Sequence, residues 1–344
     1  MTARPGPRNL LTDVPGLLVG QAEDPAVRTG VTVVLAETPA VAACDVRGGA
    51  PGTRETDLLA PDMLVEAVDA IVLSGGSVYG LGAADGVTAA LGARRRGFTF
   101  RSTDVTAPIV PGAILFDLNN GGDKGWSDTP PYSQLGRAAL AAAASEFRLG
   151  TAGAGAGAMA GALKGGTGSA SLTGEEGITV GALACVNSFG SVLMPRSRCF
   201  WAWPFEADAE FGGVRPGPDW RPGDPDDWGP SKLAALGREN TTIAVVGTDA
   251  ALTPAQTRRL AVMAQDGLAR AIRPVHAPSD GDAVFVLATG RRPLADPAPL
   301  SLAILGERAA TCLARAIARG VYDATAWPGS SVPSWRDLDA HGRP

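Results

Sequence analysis

The sequence predicts an α/β protein with mixed sheets, because short β-branched strands alternate with alanine-rich helices along the chain. The 344 residues are enough for one large domain or two ordinary ones, and we expect a single domain over residues 1–344. Apolar residues make up 45% of the chain, which allows a sizeable buried core and argues against wholesale disorder.

The first third of the chain predicts three strands and a helix. The segments GLLVG and VTVVLA, within residues 16–36, are two short strands joined by a polar turn, and residues 70–74 have the composition of a buried strand. A glycine-rich turn over residues 75–81 leads into an alanine-rich helix that ends near Ala93. This turn is also reminiscent of a dinucleotide-binding loop. However, the side chains of Val78 and Tyr79 would enter it, so we interpret it as a turn that lets backbone segments pack closely.

The middle of the chain is rich in glycine and alanine. Residues 133–147 predict a second alanine-rich helix, and residues 178–193 predict further strands. Between them lies the most unusual composition of the protein, GTAGAGAGAMAGALKGGTGSASLTGEEG, over residues 150–177. Residues 204–236 are rich in Pro, Gly, Asp and Trp, which predicts a flexible loop.

The last third of the chain begins with a strand that follows Asn240. An amphipathic helix is predicted over residues 253–271, because Thr253 is a good N-cap, Pro254 suits the first helical position and Gln256 completes a capping box. A strand over residues 283–288 and a helix over residues 300–318 complete the prediction.

Charge and cysteine content limit the partners and the compartment. The net charge of −5 and the pI near 5.2 argue against binding to nucleic acid or to an anionic membrane. No stretch of about 18 uninterrupted apolar residues and no secretory signal are visible, so we expect a cytoplasmic protein without a membrane span. The four cysteines are scattered without a C-x-x-C spacing and are expected to be reduced thiols.

Few of the common catalytic chemistries suit this composition. The chain has only two histidines, so a Ser-His-Asp triad would have to use His276, and no G-x-S-x-G motif accompanies it. A catalytic zinc site is nearly excluded by the same count, and we predict no metal and no cofactor. Lys164 precedes the glycines of KGGTGS instead of following them, so this segment is not a Walker motif.

The junction Asn240-Thr241-Thr242 has two interpretations. Asn closes turns and Thr favours strands, so the segment is compatible with an ordinary strand start. A hydroxyl nucleophile without histidine needs another base, however, and the nucleophile's own α-amine can serve once the preceding peptide bond has been cut. An α-amine has an unperturbed pKa of about 7.7–8.0, close to working pH, and can accept the hydroxyl proton and return it to the leaving group.

Six motifs in a specific order resemble those of the DmpA-type L-aminopeptidase/D-amidase-esterase family, which includes β-aminopeptidases and nylon-oligomer hydrolases. The resemblance covers nearly the whole chain. The matching segments are NLLTDVPG at 9–16, VRGGAPGT at 46–53, LSGGSVYGLG at 73–82, the lysine-containing segment 153–171, the segment 240–243 and HAPSDGD at 276–282, and Asn187 in a strand matches as well.

The resemblance implies an αββα sandwich and a chain that cleaves itself. The cut would fall between Asn240 and Thr241, leaving an α chain of residues 1–240 and a β chain of residues 241–344 with Thr241 as the nucleophile. Members assemble as oligomers, so a homotetramer of processed units is implied. The Asn-Thr junction and the Asp-Gly-Asp sequence are similar to the nylon-oligomer branch, which implies endo-hydrolysis of 6-aminohexanoate oligomers or similar amides.

Roles for individual residues follow from the same resemblance. Lys164 would lower the pKa of the Thr241 amine, and Asn187 would donate its amide N–H to the oxyanion. Asp280 and Asp282 would orient the amine and hydroxyl and balance the charge of Lys164. Without the resemblance, these residues have simpler interpretations: Lys164 reaching out of a glycine-rich turn, Asn187 at a strand end, and Asp-Gly-Asp as a hairpin turn.

One difference from the family pattern concerns Phe116, a possible wall of the site. Nylon-hydrolase relatives carry a tyrosine at the aligned position, so a hydroxyl donor would be missing here. Two alternatives to endo-hydrolysis stay open: an exo-aminopeptidase or esterase acting on small L-, D- or β-amino-acid amides, and an unprocessed, non-catalytic binding or assembly subunit.

Overall fold

The computed structural model describes residues 3–218, 220–221, 223–224, 226–232, 240–339 and 342–343. Within these residues the helices are α1 (Gly82–Ala93), α2 (Tyr132–Ala141), α3 (Pro254–Ala264), α4 (Asp266–Ala271) and α5 (Ala298–Tyr322). The strands are β1 (Leu17–Asp24), β2 (Thr29–Val46), β3 (Thr53–Arg54), β4 (Ala67–Ser74), β5 (Phe98–Phe100), β6 (Thr103–Ala107), β7 (Gly112–Ile114), β8 (Met159–Ala160), β9 (Leu163–Lys164), β10 (Gly166–Thr173), β11 (Thr179–Asn187), β12 (Thr241–Ala250) and β13 (Ala283–Arg292).

A nine-stranded mixed sheet runs in the order β10-β11-β12-β13-β2-β4-β7-β3, and β1 pairs with β2. The pairs β12/β13 and β4/β7 are parallel, and the other pairs are antiparallel. Strand β2 is long enough to pair with strands in both halves of this sheet. Its first part, residues 29–36, pairs with β1, and its last part, residues 41–46, pairs with β13. The exposed residues 37–39 interrupt its register with β4 between these two parts.

The two halves of the sheet pack face to face, with helices outside. Ile243 and Val245 of β12 point into a central core shared with Leu73 of β4, whereas Ala244 and Val246 point to the opposite face, where they pack with α3, α4 and α5. On the other outer face, β2 and β4 pack against α1 and α2. Because side chains alternate along a strand, each half-sheet is buried on both faces. The resulting layer order, helices, sheet, sheet, helices, confirms the predicted αββα sandwich.

Three elements differ from the sequence prediction. The helix predicted over residues 133–147 ends at Ala141, because Ala144 instead exchanges backbone hydrogen bonds of 3.0 Å with Val19 in β1. The strand region predicted over 178–193 ends at Asn187. The helix predicted over 253–271 breaks between α3 and α4 at Gln265, whose buried side chain donates to the carbonyl of Asp45 at 2.8 Å.

Other predictions are confirmed. The capping box forms, with the Thr253 hydroxyl accepting from the Gln256 N–H at 3.3 Å and the Gln256 side chain accepting from the Thr253 N–H at 2.9 Å. The turn after β4 is a close-packing turn: Gly76 has φ +87°, and a Cβ there would lie 2.0 Å from the Tyr132 ring. The described part of the loop at 204–236 is irregular after Phe205, residues 219, 222, 225 and 233–236 lie outside the described residues, and the flexibility of the loop stays a prediction.

Two predictions from composition concern the state of the cysteines and the absence of a membrane span. The four cysteines are free, and Cys185, Cys199 and Cys312 are buried. None of the helices in the described part of the chain is long and apolar enough to cross a membrane. His341 lies outside the described residues.

Candidate active site

The Asn240–Thr241 junction lies at the start of β12, in the interior of the protein. Asn240 forms a parallel bridge with Asp280, and the register of the sheet sets Thr241 opposite Asn187 of β11. Asn240 and Thr241 are only 1% and 4% exposed. The chain is continuous here, so the nitrogen of Thr241 is an amide and the geometry is that of the uncut protein.

The carbonyl oxygen of Asn240 accepts two hydrogen bonds. One comes from the Thr241 hydroxyl and the other from the N–H of Gly281 at 2.9 Å. Glycine is required at position 281, because a Cβ there would lie 2.6 Å from the Thr241 Oγ1 atom and 2.9 Å from the carbonyl oxygen of Ala50. The hydroxyl is therefore held beside the carbonyl group of the preceding residue, and a backbone donor points at the oxygen of that carbonyl.

Two buried polar atoms on either side of Thr241 have no hydrogen-bond partner in the described part of the chain. They are the Oδ1 atom of Asn240 and the Oγ1 atom of Thr242. Buried polar atoms are normally satisfied, since leaving one unpaired costs about 1–3 kcal/mol. Such atoms concentrate at sites selected for chemistry over stability.

Asn187 ends β11 beside Thr241, and its side-chain amide is held at both ends. Its Oδ1 atom accepts from the N–H of Met159 at 2.8 Å, and its Nδ2 atom donates to the carbonyl of Phe116 at 3.0 Å. The Lys232 ammonium lies 3.4 Å from the same Oδ1 atom and 3.3 Å from the Asn187 carbonyl. Phe116 therefore contacts the site through its backbone carbonyl.

Asp280 and Asp282 lie on the other side of the junction, ahead of β13. Asp282 accepts from the N–H of Thr242 at 2.7 Å through one oxygen, and the other oxygen lies 2.9 Å from the Nδ1 atom of His276. Asp280 accepts from the N–H groups of Ala277 and Phe189, at 2.9 and 3.2 Å. Because β12 and β13 are parallel, Asp-Gly-Asp is not a hairpin turn.

The motif VRGGAPGT forms backbone hydrogen bonds with the segment that carries Asp280 and Asp282. The N–H of Ala50 donates to the carbonyl of Asp280 at 2.8 Å, and the N–H of Arg47 donates to the carbonyl of Asp282 at 3.0 Å. A Cβ on Gly48 would lie 2.3 Å from the nitrogen of Asp282, so only glycine allows this approach. Two motifs far apart in the sequence thereby form one scaffold around Thr241.

Burial raises the pKa of Asp280 to about 6, and the nearby Asp282 carboxylate also raises it. The N–H groups of Ala277 and Phe189 and the charge of Lys232 act in the opposite direction. Asp280 therefore exchanges a proton close to neutral pH, within the range where general acid–base groups work. Within the described residues, no three His, Cys, Asp or Glu side chains are grouped to hold a metal ion.

Lys164 is buried, and among the described residues its ammonium makes no hydrogen bond to Thr241. It donates to the carbonyls of Gly155, Ala158 and Gly165 at 3.2, 3.0 and 2.6 Å. The carboxylate whose charge acts on it is Asp117, not Asp280 or Asp282 as the sequence led us to expect. The ammonium instead ties together the glycine-rich segment that carries Met159, the donor to Asn187.

Burial lowers the pKa of Lys164 from 10.5 to about 7, and the Asp117 charge only partly offsets this. Between these two pKa values the unfolded chain binds more protons than the folded chain. The lysine therefore destabilises the fold in full below pH 7, and this penalty is relieved as the pH rises toward 10.5. At neutral pH only part of the lysine population carries charge to act on a Thr241 amine.

A stability comparison tests this titration. We expect Thr241→Ala to gain stability relative to Thr241→Ala/Lys164→Met as the pH rises from 7 to 9, by up to about 1.4 kcal/mol per pH unit. Urea unfolding of both chains across this range measures the difference, and the shared Thr241→Ala background cancels the other titrations. A difference that stays constant from pH 7 to 9 would show that the lysine keeps an ordinary pKa.

Three groups of the site were not predicted as site residues from the sequence. Gly281 contributes through its backbone N–H, His276 through its contact with Asp282, and Lys232 through its ammonium beside Asn187. Gly281 and His276 lie inside the motif HAPSDGD, whose spacing could have indicated them. Lys232 lies in the irregular loop, where no local pattern marks it.

The sequence is similar to those of several known proteins. The sequence model described as peptidase family S58 matches residues 9–332. A Mycobacterium tuberculosis protein named an uncharacterized aminopeptidase is 46% identical over 358 residues, covering 96% of this chain and 98% of the relative. A 6-aminohexanoate-oligomer endohydrolase of Kocuria sp. is 30% identical over 294 residues, covering 83% of this chain and 76% of the relative.

The fold has a solved counterpart. The L-aminopeptidase D-Ala-esterase/amidase of Ochrobactrum anthropi, described as a prototype for the serine aminopeptidases and a variant of the Ntn hydrolase fold, superposes with a TM-score of 0.70. It is 24% identical, and the match covers 97% of this chain and 91% of that one. The family match over most of the chain and the relatives at 46% and 30% identity lead to one conclusion: this chain belongs to peptidase family S58.

Proposed function

We propose that this protein is a self-processing aminopeptidase that uses Thr241 as its N-terminal nucleophile and releases residues from the free-amine end of small amides or peptides. The observation that carries the proposal is the Asn240–Thr241 junction. A buried hydroxyl there contacts the preceding carbonyl oxygen, which also accepts the N–H of Gly281.

Processing follows from this geometry as an intramolecular acyl shift. The Thr241 Oγ1 atom attacks the carbonyl carbon of Asn240, and the N–H of Gly281 stabilises the negative charge that develops on the carbonyl oxygen. The C–N bond breaks, the hydroxyl proton passes to the departing Thr241 nitrogen, and an ester joins Asn240 to Thr241. Water hydrolyses the ester, leaving a carboxylate on Asn240 and a free amine and hydroxyl on Thr241.

The processed chain then has its own base. The Thr241 amine takes the hydroxyl proton while Oγ1 attacks a substrate carbonyl, and it returns that proton to the leaving amine. Asp282 holds the backbone of Thr242 through a 2.7 Å hydrogen bond, which orients the start of β12. Asn187 lies opposite Thr241 in the sheet, in a position that suits a donor to the substrate oxyanion.

The preference for a free amine is supported by an ammonium already in the site. Lys232 places its side-chain ammonium next to Asn187, and its charge acts on Asp280. A substrate ammonium would find the same oxygen atoms and the same carboxylate once the loop that carries Lys232 has been cut from Thr241. The relative at 46% identity is named an aminopeptidase, which agrees with this preference.

Endo-hydrolysis of 6-aminohexanoate oligomers is the second candidate. The Asn-Thr junction and the Asp-Gly-Asp sequence favour it, as does the 30% identity to the Kocuria endohydrolase. An internal amide bond presents no ammonium near the scissile carbonyl, so this activity would leave Asp280 without a cationic partner from the substrate. Assembly as a homotetramer and a cytoplasmic location stay predictions alongside either activity.

A pair of matched substrates separates these activities. We expect the processed protein to hydrolyse alanine p-nitroanilide at least about tenfold faster than N-acetylalanine p-nitroanilide, because a charge-assisted hydrogen bond is worth about 1.5–3 kcal/mol. Faster cleavage of the acetylated substrate, or of internal bonds in a 6-aminohexanoate oligomer, would favour the endohydrolase. No hydrolysis by a chain that stays uncut would favour the non-catalytic subunit.

A further inference from the structure

A cavity of about 340 Å³ is lined in part by the segment that carries Met159 and Lys164. Met159 connects it to the site, since this residue lines the cavity and its N–H donates to Asn187 at 2.8 Å. The polar and aromatic side chains that matter for its chemistry are those of Arg28, Asn120, Lys164 and Trp327. Its size is within the range of pockets that hold small ligands.

The wall of this cavity carries two basic side chains, Arg28 and Lys164, and no carboxylate. Arg28 donates to the carbonyls of Asn120 and Pro328, both at 3.1 Å, and the Lys164 ammonium donates only to carbonyls. Neither side chain forms an ion pair with any residue that the structure describes. Asp117, the carboxylate that acts on Lys164, does not line the cavity.

A third basic side chain lies close to the lining. The Lys124 ammonium donates to the Oδ1 atom of Asn120 at 3.1 Å and so lies directly behind the lining. The carboxylates of Asp24, Asp117 and Asp123 act on Lys124 and partly balance its charge, and none of these four side chains lines the cavity.

Trp327 supplies a fixed, flat apolar wall beside these cations. Its indole N–H donates to the carbonyl of Ala156 at 2.9 Å, and the Arg28 guanidinium lies 5.9 Å from the centre of its ring. A guanidinium next to an aromatic face is an arrangement suited to a carboxylate attached to a small organic group.

We propose that this cavity is a carboxylate-binding subsite, in which Arg28 binds the terminal carboxylate of a short peptide-like substrate or of its released product. Asn120 positions Arg28, because its Nδ2 atom donates to the carbonyl of Arg28 and its own carbonyl accepts from the guanidinium. The peptide-like character of the ligand rests on the proposed function, whereas the recognition of a carboxylate does not.

Direct binding tests the subsite without turnover. N-acetylglycine and N-acetylglycinamide are titrated into the full-length Thr241→Ala chain at constant ionic strength, and tryptophan fluorescence is followed. We expect the carboxylate to bind at least about tenfold more tightly than the neutral amide and to change the emission of Trp327. The same titration in Thr241→Ala/Trp327→Phe should lose that change.

Variants of Arg28 identify the cation responsible. Arg28→Met should weaken binding of N-acetylglycine at least about tenfold, whereas Arg28→Lys should retain part of the binding. The control is Arg94→Met, which changes an exposed arginine elsewhere and should retain full binding. Melting temperatures of each variant show whether the chain still folds. Equal binding of acid and amide, or full binding by a folded Arg28→Met chain, would overturn the subsite.

Two further arms separate this proposal from its alternatives. Inorganic phosphate that binds as tightly as N-acetylglycine would show a general anion site and overturn the carboxylate assignment. In the processed enzyme, Arg28→Met should raise KM for alanylglycine but not for alanylglycinamide. Carboxylate binding by a chain that never hydrolyses free-amine substrates would reject the proposed function and leave the subsite standing.

Discussion

Replacing Thr241 with alanine is expected to leave a single uncut chain of 34.9 kDa and to lower amide hydrolysis at least about 10⁴-fold, since the hydroxyl nucleophile is then missing from both reactions. The wild-type protein should appear on a denaturing gel as fragments of residues 1–240 and 241–344, roughly 24 and 11 kDa in proportion to length. N-terminal sequencing of the smaller fragment should give Thr-Thr-Ile-Ala.

Thr241→Ser is the matched control, because it keeps the hydroxyl and removes only a methyl group. We expect it to be cut at the same bond and to retain measurable hydrolysis. A wild-type fragment that starts at any residue other than Thr241 would reject the assignment of the nucleophile. Cleavage of Thr241→Ala at the same bond would show that the Thr241 hydroxyl is not the attacking group.

Elements with a self-contained local pattern could be predicted closely from the sequence. The capping box at Thr253 and the proline after it located the start of α3 at Pro254, because both signals act within one helical turn. The end of α2 could not be located in the same way. Ala144 leaves the helix to pair with Val19, and such a partner, more than a hundred residues away, overrides helical propensity.

The candidate site, too, could be predicted only in part from local sequence patterns. Thr241, Asn187 and Asp280 meet because β11, β12 and β13 are neighbours in the sheet, and the resemblance to a known family was needed to expect this. The direction of the Lys164 ammonium could not be predicted, since it depends on where three backbone carbonyls of a glycine-rich segment converge. The position of Lys232 depends on the path of an irregular loop.

Asp282→Asn is expected to slow processing at least about 10²-fold, although it preserves the shape of the side chain. Both carboxylate oxygens of Asp282 face N–H donors: that of Thr242 at 2.7 Å and that of His276 at 3.2 Å. An amide has one oxygen, so its NH₂ group must face one of these donors. We expect a loss of about 1–3 kcal/mol in the free energy of unfolding and a shift of the strand start that carries Thr241.

Asp249→Asn separates misplacement of the junction from a general loss of stability. Asp249 lies near the far end of the same strand, is 1% exposed, and accepts the N–H of Thr179 at 2.8 Å while pairing with Arg292. Its replacement should therefore cost comparable stability, yet leave the rate of cleavage in the folded protein unchanged. The rate is measured from gel samples taken during folding of each purified, denatured precursor. Equal slowing in both variants, or wild-type processing by a folded Asp282→Asn chain, would mean that Asp282 does not position Thr241 for attack.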